Sequence, residues 1–172
     1  SVRTSPADLI FSVVTVSYLP YNKIMRILFT QTYNLSEHEI KLVRGIVGIY
    51  FIFLTDADIT YPFASSRLIY IGMSESKQNS IAMRLRGHLT GQSGNLGVMN
   101  YANTHKVKFT YYSVEVLRSY GAENVFDMES FFLSDFLNHH GSYPICNGQG
   151  GHEIADLSKG ISASVGWDFF RQ

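Results

Sequence analysis

Five side chains in this sequence have types and spacings that could do chemistry. Glu129 lies three or four residues from Val125, Phe132 and Leu133, beside the apolar stripe of a helix. A carboxylate there is costly unless it is paired or bound to a cation. Arg84 and His88 are four residues apart, so they share a helix face, with Ile81, Leu85 and Leu89 around them. Tyr50 and Tyr70 each fall inside an apolar run, where a buried hydroxyl needs a partner. Taken singly, each has an ordinary reading: a salt bridge at the stripe edge, a solvated helix face, two core tyrosines. Gathered in one pocket, they would hold charge and move protons.

The elements that must position these groups are legible as patterns. Gly48–Leu54 and Leu68–Gly72 are β-rich apolar runs, the first apolar on both faces and so a central strand. Between them Asp56, Asp58, Pro62, Ser65 and Ser66 make a long polar hairpin loop. Ile81, Leu85 and Leu89 repeat at helical spacing within a helix over 77–90, and Gly91 and Gly94 then open a Gly- and Asn-rich loop. Residues 107–117 alternate as a third strand. A helix over 123–138 follows, with the stripe Val125, Met128, Phe132, Leu133, Phe136 and Leu137.

Upstream, Ser5-Pro6 reads as a helix start, Pro20 as a break, and Ile24–Thr30 as a helical or extended apolar segment. Ser36 and Glu39 form a capping box that opens a short helix ending near Gly45. The tail is Gly-rich at first and closes on Trp167, Phe169 and Phe170. The reading is one α+β domain built on a small three-stranded antiparallel sheet flanked by helices. It has an N-terminal helical extension over 1–45, a core over 46–148 and a C-terminal extension over 149–172.

Length and composition bound the rest. A chain of 172 residues with 45% hydrophobic and 14% aromatic content folds around one sizeable core. Fourteen basic and 14 acidic residues give a formal net charge of zero. Composition therefore gives no support for nucleic-acid binding, which would need a local basic face. Cys146 is the single cysteine, so no intramolecular disulfide can form. No run approaches the ~20 apolar residues of a membrane span, and Leu9–Val16 lacks a basic flank of the signal type. A cytoplasmic protein without a membrane partner is expected. The first residue is Ser1, not Met, which fits a chain trimmed or cut from something longer.

The five side chains sit inside a larger ordered pattern. Gly48-Ile49-Tyr50 followed by Tyr70-Ile71-Gly72 resembles the two signature triplets of the GIY-YIG nuclease family. Arg84-Leu85-Arg86-Gly87-His88-Leu89 looks like its helix motif, Glu129 like its metal-binding glutamate, and Pro144-Ile145-Cys146-Asn147 like its terminal proline–asparagine element. The resemblance covers about 48–147, with all five elements in order. The intervals between the triplets and from Gly72 to Arg84 are longer than in most members, which reads as loop insertion. They leave Arg84 and Arg86 both in play; Arg84 stands at the family's spacing from His88.

The resemblance implies a metal-dependent endonuclease. Glu129 would hold one Mg²⁺ or Mn²⁺, and Arg84 would face a non-bridging phosphate oxygen. Tyr50 would be the general base. His88 would stabilise its phenolate, orient it or take the proton itself. Tyr70 would position water and Asn147 would brace the site. The expected partner is double-stranded DNA, cut by a homodimer if the chain is a sequence-specific restriction enzyme. The alternatives are a nuclease domain of a larger homing, repair or toxin protein, and a catalytically silent nucleic-acid-binding module. His105, Lys106, Lys108, Lys23, Arg26, Lys41 and Arg44 are further phosphate-contact candidates, with solvation as their default, and Lys159 and Arg171 are open in the same way. His139 and His140 read as residues that complement a helix dipole. His105 and His152 have no zinc-type spacing around them.

Overall fold

The computed structural model describes residues 25–119, 121–148 and 163–171. In chain order the strands and helices are β1 Met25–Ile27, β2 Tyr33–Asn34, α1 Glu37–Ile40, β3 Gly48–Leu54, β4 Ile59–Thr60, β5 Ser65–Ser66, β6 Leu68–Ser74, α2 Ile81–Thr90, α3 Leu96–Thr104, β7 Val107–Ser113, α4 Val114–Arg118, α5 Val125–His140 and β8 Ala163–Val165. A 3₁₀ turn, Lys41–Val43, follows α1, and a second, Trp167–Arg171, closes the chain.

The sheet is antiparallel, with strand order β2-β7-β3-β6. All seven residues of β3 are buried, as expected of a strand covered on both faces. Period-two alternation divides them. Ile49, Phe51 and Phe53 face α5, where Met128, Phe132 and Phe136 meet Trp167 and Phe170. Tyr50, Ile52 and Leu54 face the other way, against Ile81, Leu85 and Val98 of α2 and α3. The layers are thus helix, sheet, helices. Among the described residues no helix is long and apolar enough to cross a membrane.

Four expectations are corrected. The sheet has four strands rather than three, because Tyr33 and Asn34 pair with Phe109 and Lys108. Over its described residues, 25–45, the N-terminal extension is only partly helical. Met25–Ile27 is a strand paired in parallel with Ala163–Val165, so the extension and the tail meet. A two- or three-residue strand carries no periodicity, and its partner lies far along the chain. The Gly- and Asn-rich stretch after Gly91 is a loop only to Asn95, whose side chain accepts from the Val98 amide and starts α3. The third strand ends at Ser113, whose hydroxyl accepts from the Val116 amide and turns the chain into α4.

Other expectations hold locally. Ser36 caps α1 by accepting from the Glu39 amide, while the Glu39 carboxylate reaches back to the Asn34 amide instead of its capping-box partner. The polar loop between the triplets folds as the β4–β5 hairpin. Its Tyr61 hydroxyl donates to the Leu68 carbonyl at 2.7 Å and accepts from the Ile145 amide at 3.0 Å. The helix start at Ser5-Pro6, Lys23, His152 and Lys159 lie outside the described residues.

Candidate active site

The site forms where the middle of β3 and β6 meets α2. Tyr50 lies opposite Gly72 in the β3–β6 register. A Cβ on Gly72 would come 2.5 Å from the Tyr50 hydroxyl and 2.6 Å from Cε1 of Tyr70. The missing side chain is what lets the two tyrosine rings, 6.0 Å apart, share one space. Gly48 is required for a similar reason, since a Cβ there would collide with the Tyr112 carbonyl. Both outer glycines of the triplets therefore mark close approaches of backbone and ring.

The first turns of α2 carry Ile81 and Leu85 into the core, which aims Arg84 and His88 at the tyrosines. His88 is 1% exposed. Its Nε2 lies 3.0 Å from the Tyr50 hydroxyl and its Nδ1 3.2 Å from Ser93 Oγ. Its ring stands edge-on to Tyr70 at 4.7 Å. The Arg84 guanidinium interacts with both phenols, while its buried Nε has no hydrogen-bond partner among the described residues. Arg86 turns elsewhere: its Nη2 donates to Glu37 at 3.1 Å on the surface.

Electrostatics follow from this burial. Burial pushes the Tyr50 phenol well above its ordinary value, and the neighbouring Tyr70 adds to the rise while Arg84 opposes it. Tyr70 is also raised by burial; Arg84 pulls it back and the nearby negative charge of Glu129 pushes it up. Burial, with Arg84 adding to it, lowers His88 to about 4, so the imidazole is neutral near pH 7. Arg84 remains charged.

Glu129 is half-buried on α5, which packs along β6, the edge strand of the sheet. Its field reaches Tyr70. Four of the six sequence-predicted residues, Tyr50, Tyr70, Arg84 and His88, thus gather in one cluster, and Glu129 acts electrostatically on one of them, Tyr70. Asn147 stands behind them. Its Oδ1 accepts from the Ile71 amide at 2.9 Å and its Nδ2 donates to the Ile71 carbonyl at 2.8 Å. The Cys146 amide donates to Ile69, so the 144–147 segment covers the open edge of β6. Asn147 braces the strand that carries Tyr70.

Among the described residues no three His, Cys, Asp or Glu side chains gather into a cage. Glu129 offers hard oxygen donors, which suit Mg²⁺ or Mn²⁺ held through one carboxylate with waters in the rest of the shell. The donor set fits such an ion and does not resemble a zinc site.

Other histidines stay apart. His139 pairs with Asp135, and His140 is buried with its ring stacked on Phe136 at 3.8 Å. A cavity of about 580 Å³ opens along the outer edge of β7, lined among others by Tyr33, Lys77, Tyr111 and Tyr112; it includes none of the expected site residues. Sequence reasoning missed Ser93 as a neighbour of His88. No periodic signal marks it, because it reaches the imidazole only after the chain turns back at Gly91, where φ is +76°. Comparison with protein-family models, with curated proteins and with solved structures found no match for this chain.

Proposed function

We propose that this chain is a metal-dependent endonuclease of the GIY-YIG type that hydrolyses phosphodiester bonds in double-stranded DNA. The observation that carries the reading is the Tyr50–His88–Arg84–Tyr70 cluster beside Glu129. These groups match the order of the family's elements, and the spacing of the triplets supplied no contact between them in advance.

Phosphodiester hydrolysis needs an activated water, charge relief at phosphorus and help for the leaving oxygen. Tyr50 is a weak base on its own, because burial disfavours its phenolate. A neutral His88 whose Nε2 is 3.0 Å away supplies the missing acceptor. The phenol takes a proton from the attacking water as its own proton passes to Nε2. The water oxygen bonds to phosphorus, the bond to the 3′-oxygen breaks, and the leaving oxygen is protonated from solvent. Arg84 presents its permanent charge to a non-bridging oxygen and steadies the phenol oxygens as they gain charge. Tyr70 orders the water, and Asn147 keeps its strand in register. Glu129 would hold the divalent cation, which when bound polarises the scissile phosphate and eases departure of the 3′-oxygen.

The favoured setting is a cytoplasmic type II restriction enzyme acting as a homodimer, which would make the two cuts at a palindrome. The test is incubation of plasmid DNA, and of RNA in parallel, with Mg²⁺. Discrete fragments support the sequence-specific reading, and smears or nicks a domain of a larger homing, repair or toxin nuclease. RNA cleavage alone would replace the substrate. Binding without cutting would make the chain a silent binding module and end the nuclease proposal. Arg84→Ala and Glu129→Ala are expected to lose about 10²- to 10³-fold in cleavage rate while remaining folded by circular dichroism. Wild-type rates in both would contradict the proposed roles.

A further inference from the structure

The turn after α2 does more than connect two helices. The Ser93 amide donates to the Gly87 carbonyl at 3.1 Å, folding the turn back onto α2. The Asn95 amide donates to Ser93 Oγ at 3.1 Å. Asn95 then caps α3 and donates through Nδ2 to the Cys146 carbonyl at 2.8 Å, which ties the turn to the segment bracing β6. Ser93 Oγ is therefore held at 3.2 Å from His88 Nδ1 from several sides. The residue itself is exposed, while the imidazole behind it is buried.

We propose that Ser93 is a positioning residue: its Oγ accepts the Nδ1–H of His88 and so keeps Nε2 as a bare acceptor facing Tyr50. Donors and acceptors must balance around the buried ring. Arg84 has only N–H groups to offer the two phenol oxygens. The Tyr50 hydroxyl proton needs an acceptor; His88 Nε2 lies 3.0 Å away, and a bare imidazole nitrogen is a stronger acceptor than the neighbouring Tyr70 phenol oxygen. A proton on Nε2 would set two donors, from Arg84 and His88, against the Tyr50 oxygen. With the proton on Nδ1, the donors at the imidazole each meet an acceptor: the Tyr50 hydroxyl meets Nε2 and Nδ1–H meets Ser93, leaving the Tyr50 oxygen free to face the guanidinium. Ser93 Oγ has two lone pairs, one for the Asn95 amide and one for His88, and its own proton turns to solvent. The neutral state of His88 is consistent with this arrangement. The proposed tautomer rests on these contacts of His88; its catalytic consequence rests on the nuclease reading.

Two measurements test it. Two-dimensional ¹H–¹⁵N spectra of the histidine rings, recorded on the free protein near pH 7, are expected to show His88 protonated at Nδ1 and bare at Nε2. In Ser93→Ala the Nε2–H form should appear, and kcat for plasmid cleavage should fall roughly 10- to 100-fold with KM unchanged. Ser93→Thr, which keeps the hydroxyl, should restore both the ring signature and kcat. An Nε2–H imidazole in the wild-type protein would overturn the proposal. So would an Ala variant that keeps both the wild-type tautomer and kcat. A wild-type chain that cuts no nucleic acid, yet shows the tautomer change in Ser93→Ala, sinks the nuclease reading and upholds the positioning role.

Discussion

The two faces of β3 are put to opposite uses. One face buries Phe51 and Phe53 among rings: Phe51 meets Phe132 edge-on at 4.9 Å, and Phe29, Trp167 and Phe170 complete the packing. The other face begins with Ile52 and Leu54 as ordinary core, then places a phenol, Tyr50, among an imidazole and a guanidinium. The first face lowers free energy by removing apolar area from water. The second buries polar groups whose desolvation is offset only if each finds a partner. Residues one apart on a single strand thus separate stability from chemistry, because successive side chains point to opposite faces.

Substitutions can break this contrast or sharpen it. The largest effect is expected on the packing face. Phe132→Ala should cost about 3–5 kcal/mol, read as a lower midpoint in urea denaturation. A loss under about 1 kcal/mol would mean that the ring cluster is not the main source of stability. On the chemical face the contrast appears as pH dependence. His88 is held to about 4 against an ordinary 6.5, so the unfolded chain binds a proton more readily than the folded one between those values. The contribution is complete above pH 6.5 and is lost as pH falls through 4, on the order of 3 kcal/mol. Burial lowers His140 as well, so it adds to the same trend. Thermal melts from pH 7 to pH 4 should show a shallower slope for His88→Gln than for the wild-type protein. Equal slopes would mean that the buried imidazole makes no differential contribution. The smallest effect belongs to neither face. Arg86 pairs with Glu37 in an exposed bridge, so Arg86→Ala should cost under about 1 kcal/mol and leave cleavage unchanged. A large loss of cleavage there would reverse the assignment between Arg84 and Arg86.

Much of this was legible in the chain itself. The unbroken apolar run Gly48–Leu54 forecast a central strand, and it is buried at every position. The stripe on α5 forecast its inner face, including Met128, Phe132 and Phe136. Arg84 and His88 at a spacing of four could be placed on one face of α2 before any contact was known. The elements that escaped were short or atypical. Tyr33–Asn34 and Met25–Ile27 are too brief to show a period. α3 buries only Val98 and contains two asparagines and a glycine, so its apolar signal is thin. The long run from Val107 hid the boundary at Ser113 because a strand and a short helix there are both rich in apolar residues.

The sequence by itself determined the local periods, the caps and the residue types available for chemistry, because those depend on neighbours within a turn or a strand. Only the tertiary structure decided which groups meet. It laid the Tyr50 ring over Gly72, turned Ser93 back onto His88, and set the side chain of Asn147 against the backbone of Ile71. Such contacts join positions tens of residues apart or across a reversal of the chain. They exist only once packing of the two sheet faces has overcome the entropy of bringing those positions together.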